Sequence, residues 1–487
     1  MAVACRFGCT AVVTEQDDLW AFGKGVNGVL GLGTNAYRLL PVCMGGADEM
    51  FDGEAVVMVA AGHAHTACVT AKGTVWSWGD GEYGKLGHGD REPRQRPARL
   101  GKEMYGGSPA VMVACGDAHT LVLTAEGTQL TAVWSCGAGG HGQLGHGDTG
   151  NKLVLTLVGS EGFSGAQIVM VAAGAQHGVA LGAEGRVWTW GYGRYGQLGH
   201  NDEGERLVPT LLAGEALDGA VVVQVAAGLG HTVAVTREGE LWVWGCGIYG
   251  QLGLGDFDNR MAPTLVRAEA AFGESQVLTV ACGYLHTLAV TKDGALWTFG
   301  KGANGALGHN DNNNRLMPTR IQAQHFDNAN IVSVAGGYSQ SAAVTEEGAL
   351  YTWGARMGLG HADEQTKLVP TRIAPHLLQG ARVGCCHDLP PMHALAFAMG
   401  THSRLGSSTA PTAAAAAGGS QRMSQRQQGK TPTAADKGKD CEYVTMPGEL
   451  VQRVVEACVS WPEGRAGELE GVVRLLGGGM MKARGSS

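Results

Sequence analysis

The chain has 487 residues, with 36 Lys and Arg against 44 Asp and Glu and a formal charge of −8 at pH 7. A mildly acidic balance with sparse charge excludes a bare electrostatic nucleic-acid binder, which needs a basic patch or stripe. No apolar run approaches the about 18 residues of a membrane span, and the first residues lack the charged and apolar regions of a secretory signal.

Taken in chain order, residues 3–14 form an apolar, β-branched run that aligns residue for residue with 59–70. Residues 56–100 set out one full unit. A run starting at Val56 is broken at Gly62, a second run spans 65–70, and a turn at Ala71-Lys-Gly73 leads to alternating 74–78 with Trp76 and Trp78 on one face. A glycine-rich loop covers 79–90, and Pro97 marks a last extended piece. β-branched and aromatic runs bounded by glycine turns predict strands and hairpins, about four per unit, which is the content of a propeller blade. Proline is tolerated at the start of a strand, where no ladder donor is needed; it recurs at Pro41, Pro209, Pro263, Pro318 and Pro370, with Leu155 in its place in the third unit.

The unit recurs seven times. Its anchor glycine falls at Gly23, Gly79, Gly137, Gly191, Gly245, Gly300 and Gly354. A fixed period of this kind predicts stacked repeats that share one core. Residues 383–397 are a distorted further copy of the first element, so the expectation is one closing blade that combines the N-terminal run with the last repeat. That arrangement would remove exposed strand edges.

The pattern Trp-x-Trp-Gly-x-Gly-x-x-Gly-x-Leu-Gly-His-Gly-Asp resembles the repeat of the regulator of chromosome condensation 1 (RCC1) family over residues 1–398. The resemblance implies an all-β, seven-bladed β-propeller of RCC1-type repeats. After it, 399–446 reads as a low-complexity linker too poor in large apolar groups to order itself. Residues 447–476 read as an amphipathic helical segment, with Leu450, Val451, Val454, Val455 and Cys458 in a stripe, and 477–487 as a disordered tail.

Three recurring residue types invite functional readings. Gly191-Tyr-Gly193-Arg-Tyr-Gly196 has the letters of a dinucleotide fingerprint, but no helical pattern follows it, so turn-forming glycines are expected. Eleven of the 17 histidines fall into two slots. One holds His65, His119, His177, His231, His286 and His393; the other holds His88, His146, His200, His309 and His361. Their spacing predicts hydrogen bonds to neighbouring loops in place of one converging site. The twelve cysteines include no C-x-x-C pair, and the tryptophans read as packing between blades. No cofactor or metal is expected, and a reducing compartment, cytoplasmic and/or nuclear, fits this cysteine usage.

The resemblance also supplies a candidate face. In the founding exchange factor, loops before the repeated histidine meet the small GTPase Ran. The matching positions here make His65, Asp117, His119, Gln176, His177, His231, Tyr284, His286 and Tyr338 the candidate protein-interaction residues. Departures from that exchange factor are plain: Gln176 stands where it carries Asp, loop 191–202 has no inserted wedge, and no basic tail precedes the first repeat. Photoreceptor members carry tryptophan in Gly-Trp-Arg-His-Thr motifs, and none fills that slot here. The expectation is a non-enzymatic protein-protein interaction scaffold; the alternative is a guanine nucleotide exchange factor for a Ran-like or other small GTPase.

Overall fold

The computed structural model describes residues 3–44, 50–126, 130–267 and 271–384. The expected linker, helical segment and tail, with His393 and most of the distorted copy at 383–397, lie outside the described residues.

Seven four-stranded antiparallel sheets stand around a central channel, and each is built from consecutive strands. The first contains β1 (Val3–Arg6), β2 (Cys9–Val13), β3 (Leu19–Gly23) and β4 (Arg38–Cys43). The other six cover residues 56–100, 110–157, 168–211, 222–266, 277–320 and 331–372. The first strand of each blade lines the channel, which encloses a cavity of about 230 Å³. In the third blade the middle strands lengthen to His119–Glu126 and Leu130–Gly137.

The expected shared closing blade is not what forms. The N-terminal run supplies the two inner strands of its own blade, and the seventh blade is complete without it. Closure is made by side-by-side packing: Val3, Val12, Trp20 and Phe22 share one apolar cluster with Ala335, Ala342 and Val344. Thr14 forms an isolated bridge with Val383. The physical reason is that β1 already pairs with β2 and β2 with β3, so the face of this sheet packs on the last blade, and backbone bonds to it are confined to the strand end, where Gly384 N donates to the Val13 carbonyl and Glu15 N to that of Arg382.

The glycines of the repeated loop serve two ends. Gly191 and Gly196 have φ of +102° and +79°, which favours glycine. Gly193 is not in that region; a Cβ there would lie 2.1 Å from the carbonyl oxygen of Gly204. The middle glycine therefore permits close backbone approach, a correction to the expectation that turns alone explain all three.

Tryptophans join the blades as expected. Indole Nε1 of Trp78, Trp190, Trp244 and Trp353 donates to the loop carbonyls of Val29, Gln143, Gln197 and Ala306 in the preceding blade, at 2.9–3.0 Å. Phe22 and Phe299 fill the same core position without a donor.

Candidate functional site

The first histidine slot opens the second strand of a blade, and its side chain turns into the joint with the next blade. His65, His177, His231 and His286 place Nε2 2.9–3.1 Å from the hydroxyl of Thr120, Thr232, Thr287 and Ser341. Each hydroxyl spends its own proton on a carbonyl of the preceding blade's loop: Lys85, Gln197, Gln251 and Ala306. The imidazole must then donate from Nε2, which sets its tautomer. Gln340 takes the histidine's place at the last joint and donates to the Cys9 carbonyl at 3.0 Å. For His119 the next blade carries Gly178 at the hydroxyl position, and neither of its ring nitrogens has a hydrogen-bond partner.

Burial governs the charge state of these rings. It pushes His177 and His231 down to about 3 and His119 and His286 down to about 4. It holds His65 well below its usual value, with the Lys85 charge adding to the effect. The second slot works inside one blade. His88, His146, His200, His309 and His361 approach Ser77, Ser135, Thr189, Thr298 and Thr352 at 2.8–3.1 Å.

A glycine three residues before each first-slot histidine is required by the ring itself. A Cβ at Gly62 would lie 2.2 Å from His65 Cε1, and Gly116, Gly174, Gly228 and Gly283 meet their histidines in the same way. The first blade breaks both positions together: Cys9 replaces the histidine and Arg6 replaces the glycine. Without an imidazole there is room for a Cβ. The Arg6 guanidinium then reaches from the first blade to the third, where Nη2 meets Asp117 Oδ1 at 2.7 Å.

That ion pair lies within a collar formed by the turns between the first and second strands. The residue after the glycine slot is, blade by blade, Phe7, His63, Asp117, Ala175, Leu229, Tyr284 and Tyr338. Amides of Asp117, Ala175, Leu229 and Tyr284 donate to carbonyls of the next turn, linking the collar. The rings of Phe7 and His63 are 3.8 Å apart, Phe7 and Tyr338 5.4 Å, and Tyr284 and Tyr338 4.5 Å. Burial, then the nearby Asp117 charge, pushes the Tyr284 hydroxyl up to about 12.

The Gly-x-Gly-x-x-Gly loops open on the same end, because the residue after each anchor glycine bonds back to the turn, as Asp80 N does to the Ala64 carbonyl at 2.8 Å. They expose Tyr83 (40%), Tyr195 (40%) and Ile248 (50%), and the collar exposes Tyr338 (42%).

The candidate residues therefore separate. His65, His119, His177, His231 and His286 are buried in the joints, so they do not present themselves to a partner; this corrects their place in the expected face. Asp117, Tyr284 and Tyr338 are brought together at the channel mouth, and Gln176 is exposed on the fourth blade's turn. Sequence reasoning missed Arg6, Phe7, His63, Tyr83, Tyr195 and Ile248. The signal for them was present: Arg6 alone breaks the glycine slot, and the others occupy loop slots whose identity changes from blade to blade. Among the described residues, no group of three or more His, Cys, Asp or Glu is placed to hold a metal.

These features define a seven-bladed propeller with histidine-latched joints and a variable mouth. The family description RCC1-like domain matches residues 1–274, and the RCC1 repeat matches 293–344 and 277–306. The chain belongs to the RCC1 repeat family. It is 36% identical over 360 residues to the ultraviolet-B receptor UVR8 of Arabidopsis thaliana, covering 72% of this chain and 78% of that one. It is 34% identical over 340 residues to the human E3 ubiquitin-protein ligase HERC2, covering 68% of this chain but 7% of HERC2. Among solved structures, human WBSCR16 superposes with a TM-score of 0.64 at 25% identity, covering 73% of this chain and 94% of that one. Prp20p of Saccharomyces cerevisiae does so at 0.63 and 25%, covering 73% and 86%.

Proposed function

We propose that the protein is a non-enzymatic binding module that recognises protein partners through the mouth face. One observation carries this reading: Tyr83, Tyr195, Ile248 and Tyr338 are large, exposed and gathered on a single end of a rigid frame. Exposed apolar groups rimmed by polar loops mark interaction surfaces, and loops on a rigid scaffold are the usual carriers of recognition. Structures of yeast RCC1 concern Kap60 bound to it and its binding to Gsp1p and histones, which supports protein recognition on this fold. Cytoplasm and/or nucleus is proposed as the compartment, on the reducing character that the cysteine spacing of the sequence suggests.

Exchange on a small GTPase is the second reading, and Asp117 at the mouth is what favours it. Against it, that carboxylate is already engaged by Arg6.

Affinity purification from cells expressing the full chain or its Tyr284→Ser/Tyr338→Ser variant tests the binding reading. A set of partners should be lost from the variant; an unchanged set refutes the mouth as the recognition face. Release of labelled guanine nucleotide across a GTPase panel separates the alternative. Acceleration that disappears in Asp117→Ala would favour exchange.

A further inference from the structure

In six blades the cation that opens the outermost strand is matched by an aspartate four residues earlier, from Asp90–Arg94 to Asp363–Lys367, at 2.5–2.8 Å. Those charges neutralise one another within the repeat. On the mouth face between the seventh and first blades, Lys24 and Arg356 have no carboxylate within 4.0 Å among the described residues.

These two cations flank a pocket of about 490 Å³, walled by Phe7, Tyr338, Gln340 and Met357 and lined by no acidic residue. The volume is that of a ligand cleft. Phe7 holds a positive φ of +42°, a strained setting for a bulky side chain. Its ring is fixed between His63 and Tyr338, with the Lys24 ammonium 4.5 Å from its centroid. Strain of this kind gathers at binding sites because the surrounding contacts impose it. A cationic, aromatic pocket on a chain of charge −8 selects by local complementarity against the overall field.

We infer that this pocket binds an acidic peptide segment of a protein partner. Lys24 and Arg356 receive carboxylates, and Phe7 and Tyr338 receive the apolar side chains between them. The inference rests on the mouth-face reading above and narrows it to one chemical class.

A phage-displayed random peptide library selected on the full chain tests it. Enriched peptides should carry several Asp or Glu interleaved with apolar residues. Labelled with fluorescein, they should lose about tenfold in affinity on Lys24→Glu/Arg356→Glu and weaken with added salt, while Arg237→Glu, on a turn at the opposite end, leaves binding unchanged. Unshifted melting certifies the variant's fold; if charge reversal unfolds the chain, Lys24→Gln/Arg356→Gln replaces it. Enriched peptides without acidic residues, or acidic ones indifferent to the double variant, overturn the inference. So does a phosphoserine version that binds tenfold tighter, which would assign the pocket to phosphopeptides. Peptides lost on Tyr284→Ser/Tyr338→Ser but kept by the charge-reversal variant would leave the mouth as a protein-binding face and overturn the recognition of carboxylates by Lys24 and Arg356. Failure to enrich any peptide counts against both readings.

Discussion

Replacing His231 by glutamine should flatten the acid limb of the stability curve. The imidazole is fully buried, its Nε2 donates to Thr287 at 3.1 Å, and burial holds it at about 3. Gln340 shows that an amide serves the same slot, donating to the carbonyl of Cys9. In the unfolded chain a histidine titrates near about 6.5. Below that pH the unfolded state binds a proton that the folded state refuses, so stability rises with pH. The contribution is fully present above about 6.5 and is lost as pH falls toward the folded value. At pH 5 the difference spans about 1.5 units, or about 2 kcal/mol for one ring. At pH 8 this loss is zero, leaving only packing and hydrogen-bond differences between the two chains. Urea denaturation at pH 8, 7, 6 and 5 should show His231→Gln gaining about 2 kcal/mol on the parent between pH 8 and pH 5. Parallel curves would refute the burial argument. His119, His177, His231 and His286, held at about 3 or 4, together lose about 8 kcal/mol at pH 5, comparable to the whole stability of a domain, so acid unfolding of the parent is expected near that pH.

Other perturbations follow from the same contacts. Asp117→Ala strands a buried guanidinium and should cost about 3 kcal/mol; adding Arg6→Gly, the residue of the sister blades, should recover part of it in a double-mutant cycle read by chemical denaturation. Trp190→Phe keeps one aromatic ring but removes the buried pyrrole and leaves the Gln143 carbonyl without its donor, for a loss of at least about 1 kcal/mol by the same measurement. Gly191→Ala would place a Cβ 2.5 Å from the Gln176 carbonyl oxygen at a φ of +102°. It should cost more than about 2 kcal/mol and lower the melting temperature, whereas an unshifted melt would contradict the assigned backbone.

Much of the architecture is legible in the chain because it is local and repeated. The anchor glycines, the paired tryptophans and the β-branched runs specify four strands per unit and seven units, since each pattern acts within about 50 residues. The histidines were harder to place. Their spacing marks them as structural, yet it also aligned them with a binding face. Only the joint geometry shows the ring folded back over the glycine three residues before it and closed off by the next blade. The shared closing blade was misjudged for a related reason: periodicity counts elements but does not say which face of a hairpin meets its neighbour.

Arg6 and Asp117 make the division clearest. Each departs from its repeat at a different slot, and 111 positions separate them. Cys9 in place of histidine makes room for Arg6, a coupling visible in the aligned letters once the Gly–His contact is known. That the guanidinium then finds a carboxylate two blades away was decided by the curvature of the ring. The sequence by itself determined the repeated unit, its strands and its latches, because those depend on neighbours within one blade or the next. The tertiary structure decided which slots turn inward and which unrepeated side chains meet at the mouth, because those distances exist only once the seven blades have closed.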